Sequence, residues 1–143
     1  MCMCDTIDDS ISVTRSVELD VPPEEAWELI GDGERWADWM VDEASIDVSP
    51  GETGEVIDAG ERREVRVGRV ESGESITFEW WPAQRRDLAS VVELTVVPAR
   101  SGAVLEIVES FPSRGAISAS AIASAWQPRL RRVSALRRLL VAA

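Results

Sequence analysis

RGAISASAIASAWQPRLRRVSALRRLLVAA, residues 114–143, is the stretch whose reading decides the fold. Ile122, Trp126, Leu130, Val133, Leu136 and Leu140 recur in it at spacings of three and four, which puts them on one side of a helix. Pro128 lies inside that stripe. Its ring removes one backbone hydrogen bond and crowds another carbonyl, so the helix is expected to kink or restart there. Upstream, from Ala44 to Phe111, the chain reads as short strands punctuated by turns. An amphipathic helix and a one-faced sheet must each bury an apolar side, so the order implies an α+β domain in which a curved antiparallel sheet wraps around one long C-terminal helix. A hollow between two such layers is a natural place for a ligand.

Working back towards the N-terminus, Ile11, Val13, Arg15, Val17 and Leu19 alternate on one side of a first strand, with Arg15 interrupting the face near its rim. Val21-Pro22-Pro23-Glu24-Glu25 then reads as a helix start: proline suits the first turn, and early glutamates complement the helix dipole. Ala26, Trp27, Leu29 and Ile30 supply its buried stripe, and Gly31-Asp32-Gly33 stops it. Asp32 is placed to cap a second short helix in which Trp36, Trp39 and Met40 share a face.

The strands expected after it are Ala44–Val48, Glu55–Asp58, Arg63–Val70, Ser75–Trp81, Leu88–Val97 and Ala103–Phe111. Gly68 marks a candidate bulge that would help the sheet curl. Residues 1–10 are polar and acidic without period, so a disordered tail followed by one domain over residues 11–143 is expected.

The net charge of −11 disfavours nucleic acid, whose phosphates need a basic surface, and disfavours simple adsorption to anionic lipid. That charge is unevenly spread, because all 26 acidic residues precede residue 114. Arg129, Arg131, Arg132, Arg137 and Arg138 then either solvate one helix face or offer a docking surface to an acidic protein partner.

No apolar run reaches the roughly 18 to 20 residues a membrane span needs, and no basic, then apolar, leader opens the chain. A cytoplasmic protein is the expectation. Its oligomeric state is not legible in the sequence.

Histidine, lysine, tyrosine and asparagine are all missing. Serine–histidine catalysis, Schiff bases and histidine metal sites are thereby excluded, and any catalysis would run on carboxylates, arginine or water. Cys2 and Cys4 are two thiols on the tail, too few for a metal site and unable to staple the fold, so neither a metal nor a cofactor is expected.

Alternation places Ile76, Phe78 and Trp80 on one strand face, and Leu105, Ile107, Glu109 and Phe111 on another. With Trp36, Trp39, Met40, Trp126 and Leu130 they either fill a core or line an apolar pocket. Glu109 among apolar neighbours is costly unless paired, so it either meets an arginine or faces a wet cavity, as a polar anchor or an acid. Asp58 and Arg66 are weaker candidates of the same kind.

Val21-Pro22-Pro23-Glu24-Glu25-Ala26-Trp27, Trp36-Ala37-Asp38-Trp39, Phe78-Glu79-Trp80-Trp81-Pro82 and Trp126-Gln127-Pro128-Arg129-Leu130, in that order, resemble the START-like (SRPBCC, Bet v 1-like) helix-grip superfamily. The likeness is nearest to the bacterial branch similar to the C-terminal domain of the Hsp90 ATPase activator, and it covers roughly residues 11–141. The resemblance implies a cavity between sheet and helix that binds lipids, hormones, polyketides or other hydrophobic molecules; a minority of members catalyse cyclisation or hydration. By position, Trp36, Trp39, Phe78, Trp80, Glu109 and Trp126 match places that line or cap such a cavity. Enzymatic relatives often place histidine or tyrosine there, which this chain lacks. The expectation is therefore a carrier of a hydrophobic small molecule, with a polyketide cyclase or hydratase-like enzyme and a co-chaperone-like or regulatory partner-binding module as alternatives.

Overall fold

The computed structural model describes residues 11–111 and 124–134. Seven strands form one antiparallel sheet: β1 Ile11–Leu19, β2 Glu43–Ser45, β3 Thr53–Asp58, β4 Glu61–Glu71, β5 Ser75–Pro82, β6 Ser90–Ala99 and β7 Gly102–Phe111. Their order is β1-β7-β6-β5-β4-β3-β2, so the first strand closes onto the last one while the others form a meander. Helices α1 (Pro23–Gly31) and α2 (Trp36–Trp39) follow β1, and residues 124–134 form α3. This is the α+β helix-grip architecture that the sequence implied.

Alternation decides which face is buried. Leu19 on β1, Val65 and Val67 on β4, Ile76, Phe78 and Trp80 on β5, Val92 and Leu94 on β6, and Leu105 and Ile107 on β7 are all buried on the side facing the helices. The bulge lies where Gly68 was expected to put it. The register shifts between Val67 and Val70, and a Cβ at Gly68 would lie 2.8 Å from Thr77 Oγ1. Thr77 Oγ1 also accepts the Arg69 backbone N–H at 2.9 Å, satisfying a donor that the interrupted ladder leaves free.

Helix α1 carries Pro23 at its first position, and its terminal carbonyls find unusual partners. Trp36 Nε1 donates to Ile30 O and Trp39 Nε1 to Leu29 O, both at 2.9 Å. Carbonyls in the last turn of a helix lack intrahelical donors, so the two indoles close α1 while burying their rings beneath it. Asp32 caps the 3-10 turn Gly33–Arg35 by accepting from Glu34 N at 3.0 Å, and the chain passes directly into α2.

Most strand boundaries move by one or two residues from expectation, and three differences have a clear cause. Strand β2 ends at Ser45 instead of running to Val48, because the main chain of Ile46 passes close to two glycines: a Cβ at Gly33 would lie 2.0 Å from Ile46 O, and one at Gly54 2.3 Å from Ser45 O. Strand β6 begins at Ser90, since Arg86–Leu88 wind into a 3-10 turn. Residues 124–134 stay helical through Pro128, so no restart occurs there; the ring deletes one bond and the flanking turns remain. The expectations for the tail over residues 1–10 with Cys2 and Cys4, and for Ile122, Leu136, Arg137, Arg138 and Leu140, lie outside the described residues, and no helix among those described is long and apolar enough to cross a membrane.

Candidate functional site

Where α3 lies against the sheet, the structure gathers the aromatic side chains into a continuous series. Trp36 meets Phe78 at a centroid distance of 4.8 Å, and Phe78 meets Trp80 edge-on at 5.3 Å. Trp80 stacks on Trp126 at 6.4 Å, and Trp126 meets Trp39 at 6.5 Å. All five side chains are at most 1% exposed. The tryptophans expected either to fill a core or to line a pocket are packed against one another.

Inside this aromatic box sits a polar cluster. Glu109, projecting inward from β7 after Leu105 and Ile107, is 5% exposed and receives hydrogen bonds at both oxygens. Trp126 Nε1 donates to Oε1 at 2.8 Å; Trp80 Nε1 at 3.0 Å and Ser90 Oγ at 2.5 Å donate to Oε2. Donors from β5, β6 and α3 therefore converge on one carboxylate. Such convergence offsets the desolvation that would otherwise make a carboxylate costly among apolar side chains.

Arg129 lies one turn beyond Trp126 and is 6% exposed. It does not belong to the solvated arginine face on which the sequence reading placed it. Its Nε donates to Met40 O at 2.9 Å, and its guanidinium reaches Asp58 Oδ2 at 2.5 Å. The guanidinium carbon lies 4.7 Å from the Trp126 ring centroid and 5.5 Å from that of Trp80. Burial pulls its pKa below the usual arginine range, while the charges of Asp58 and Glu109 oppose that shift. Arg131 and Arg132 are exposed and keep the outward orientation expected of them.

Of the residues singled out in the sequence, Trp36, Trp39, Met40, Phe78, Trp80, Glu109, Trp126 and Leu130 are buried in one body with this cluster. Phe111 is half-buried at the end of β7 and packs against the same core. Arg66 does not join them. It alternates with Val65 and Val67, so it is exposed on the outer face of β4, beside a groove shared with Thr77, Glu79 and Val91.

Three polar members, Arg129, Ser90 and Arg63, were missed, although each carries a periodic signal. Arg129 is three residues after Trp126 and four before Val133, Ser90 is in phase with Val92 and Leu94, and Arg63 is in phase with Val65 and Val67. Arg15, half-buried on β1, donates to Gln127 Oε1 across a groove of about 440 Å3 that Val17 and Leu130 also line.

A seven-stranded sheet holding a C-terminal helix over a buried aromatic and polar seam defines an SRPBCC-type helix-grip protein. The description "Polyketide cyclase / dehydrase and lipid transport" matches residues 10–140, and the chain belongs to that family. The finer likeness to the Hsp90 activator domain is not part of that result.

Among solved structures, DynU16, a protein of the dynemicin biosynthetic locus, is 22% identical with a TM-score of 0.75, over 90% of this chain. This chain spans about half of DynU16, 46% of its length. CalU16 from Micromonospora echinospora is 22% identical with a TM-score of 0.67, covering 90% of this chain and 74% of that one. MLL2253 from Mesorhizobium loti is 20% identical with a TM-score of 0.77, covering 93% and 98%. At these identities the likeness shows a shared fold. No curated protein matches the chain.

Proposed function

We propose that this chain is a cytoplasmic carrier that binds a hydrophobic, aromatic small molecule between the sheet and α3. The observation that carries the reading is the set of three donors, from Trp80, Ser90 and Trp126, aimed at Glu109 inside a wall of indole rings. A core built for stability alone gains little from a buried carboxylate, since apolar residues of similar volume serve as well or better. A carboxylate among flat rings suits a ligand with an aromatic body and a hydroxyl, the rings supplying area and Glu109 accepting the hydroxyl proton. Because the five aromatic side chains are at most 1% exposed, entry requires α3 to move aside, with the ligand's donor taking the place of the Trp126 indole on Glu109. The family description and the dynemicin biosynthetic locus of DynU16 favour a polyketide-like molecule.

Native mass spectrometry of the freshly purified protein beside the denatured one tests this reading. A released organic mass, absent from a Trp126→Arg variant whose helix face cannot receive the ligand, is the expected result. A wild-type chain that is bare, and that also leaves polycyclic phenols unbound in a tryptophan fluorescence titration, would overturn it.

A second reading is favoured by the short contact of Ser90 Oγ with Glu109 Oε2, 2.5 Å. A carboxylate so placed in a water-poor seam is positioned to act as an acid or base in ring closure on the same class of molecule. A pH–rate profile that shifts with Glu109→Gln would support catalysis; an unchanged profile would leave Glu109 as an anchor.

A further inference from the structure

We propose that the ligand of this seam carries a carboxylate and that Arg63 recognises it; the inference rests on the binding reading above. Arg63 projects from the inner face of β4, in phase with Val65, and its neighbours across the ladder are Val56 on β3 and Pro82 on β5. Its guanidinium carbon lies 4.9 Å from the Trp80 ring centroid, so the cation is held over the same indole that donates to Glu109.

The nearest carboxylate is already engaged. Asp58 Oδ2 takes Arg129 at 2.5 Å and stands 4.0 Å from Arg63 Nε, beyond hydrogen-bonding reach. Arg63 Nε is shut off from solvent and has no hydrogen-bond partner among the described residues, the one buried side-chain polar atom there of which this is true. The side chain as a whole is 23% exposed, so the orphaned nitrogen lies on the inner side of a guanidinium whose far end reaches the rim.

An unsatisfied buried donor is costly, and more so on a charged group; a guanidinium is a planar fork that fits a carboxylate through two parallel N–H bonds. The contact with the Trp80 ring, 4.9 Å from its centroid, holds the cation in place. An incoming carboxylate would satisfy the orphaned Nε and add a second negative charge to an arginine whose ion pair with Asp58 spans 4.0 Å. Arg129 cannot play this part, because Met40 O and Asp58 already occupy it. The ligand class that fits is an aromatic acid: a flat apolar body against Trp80 and Trp126, with a carboxylate turned towards β4.

Titration of the full chain with 2-naphthoate and its uncharged twin 2-naphthamide, read by tryptophan fluorescence at pH 7.5, separates the possibilities. The wild-type protein is expected to bind the acid at least tenfold more tightly than the amide. Arg63→Gln should weaken the acid at least tenfold and leave the amide within twofold, and Arg63→Lys should restore part of the loss. Equal affinity for the pair in the wild-type protein, or equal weakening of both by Arg63→Gln, would overturn the carboxylate while leaving an apolar site in place. Failure of both ligands to bind the wild-type protein would overturn the carboxylate, and the titration with polycyclic phenols then decides the carrier reading separately. The wild-type ratio decides even if the variant does not fold.

Discussion

Trp126 Nε1 on α3 donates to Glu109 Oε1 on β7 at 2.8 Å, a polar latch between helix and sheet with both partners buried. Its consequence for mutation follows from counting donors. A glutamine at position 109 keeps one carbonyl oxygen for Trp126, while its amide nitrogen can donate to Ser90 Oγ, which already accepts from Trp80 Nε1 at 3.1 Å. Glu109→Gln is therefore expected to cost only about 1 kcal/mol in urea unfolding, whereas Glu109→Leu, which takes the acceptor from Trp126 Nε1 and the Ser90 hydroxyl and leaves Trp80 only Ser90 Oγ, should cost about 3 kcal/mol or more.

Trp80 touches Phe78, Trp126, Arg63 and Arg129 and is 1% exposed. Trp80→Ala should lose about 3–5 kcal/mol of stability, visible as a lowered melting temperature and a collapsed near-ultraviolet circular dichroism signal. Trp80→Phe, which keeps most of the ring area and drops the donor, should lose clearly less.

The two classes of arginine on α3 predict opposite behaviour. Arg129→Met leaves Asp58 and Met40 O without their donor and should destabilise the chain by about 3–5 kcal/mol. Replacing Asp58 by alanine in the same chain should recover part of that loss. Arg131→Ala, at an exposed position, should stay within about 0.5 kcal/mol of the parent in the same denaturation experiment.

Gly33 lets the main chain of Ile46 approach so closely that an added Cβ would sit 2.0 Å from its carbonyl oxygen. Gly33→Ala must push the loop after β2 away from the start of α2, at a cost of about 1–3 kcal/mol. Trp36 and Trp39 follow directly, so amide protection across α2 should fall in hydrogen exchange.

If ligand entry displaces Trp126, loosening the latch should help binding even as it weakens the fold. Trp126→Phe is expected to lower stability by about 1 kcal/mol or more, and to raise ligand affinity several-fold by populating the open form. A proportional loss of affinity and stability would place Trp126 in the contact surface and not in the closure.

Most strand assignments, and the faces of β1, β5 and β7, were legible in the sequence because period-two alternation is a local property, readable without knowing the partner strand. Ile76, Phe78 and Trp80 on one strand and Leu105 and Ile107 on another share the buried faces that this rule gave them. Misreadings occurred where a long-range contact overrode a local pattern. Ile46 leaves the ladder because two glycines elsewhere in the chain admit its backbone, and Arg129 turns inward because Met40 O and Asp58 wait for it across the seam.

By itself, then, the sequence determined the succession of elements, the apolar faces, the bulge at Gly68 and the cap at Asp32, all of which depend on residues within a few positions of one another. Only the tertiary structure decided which polar groups those faces enclose. Glu109 finds Trp80, Ser90 and Trp126, and Asp58 finds Arg129 at hydrogen-bonding distance while Arg63 stands 4.0 Å from it, because those groups stand on six different elements. A hydrogen bond needs its partners within about 3 Å. No spacing along the chain specifies that distance until the sheet has curled and α3 has settled across it.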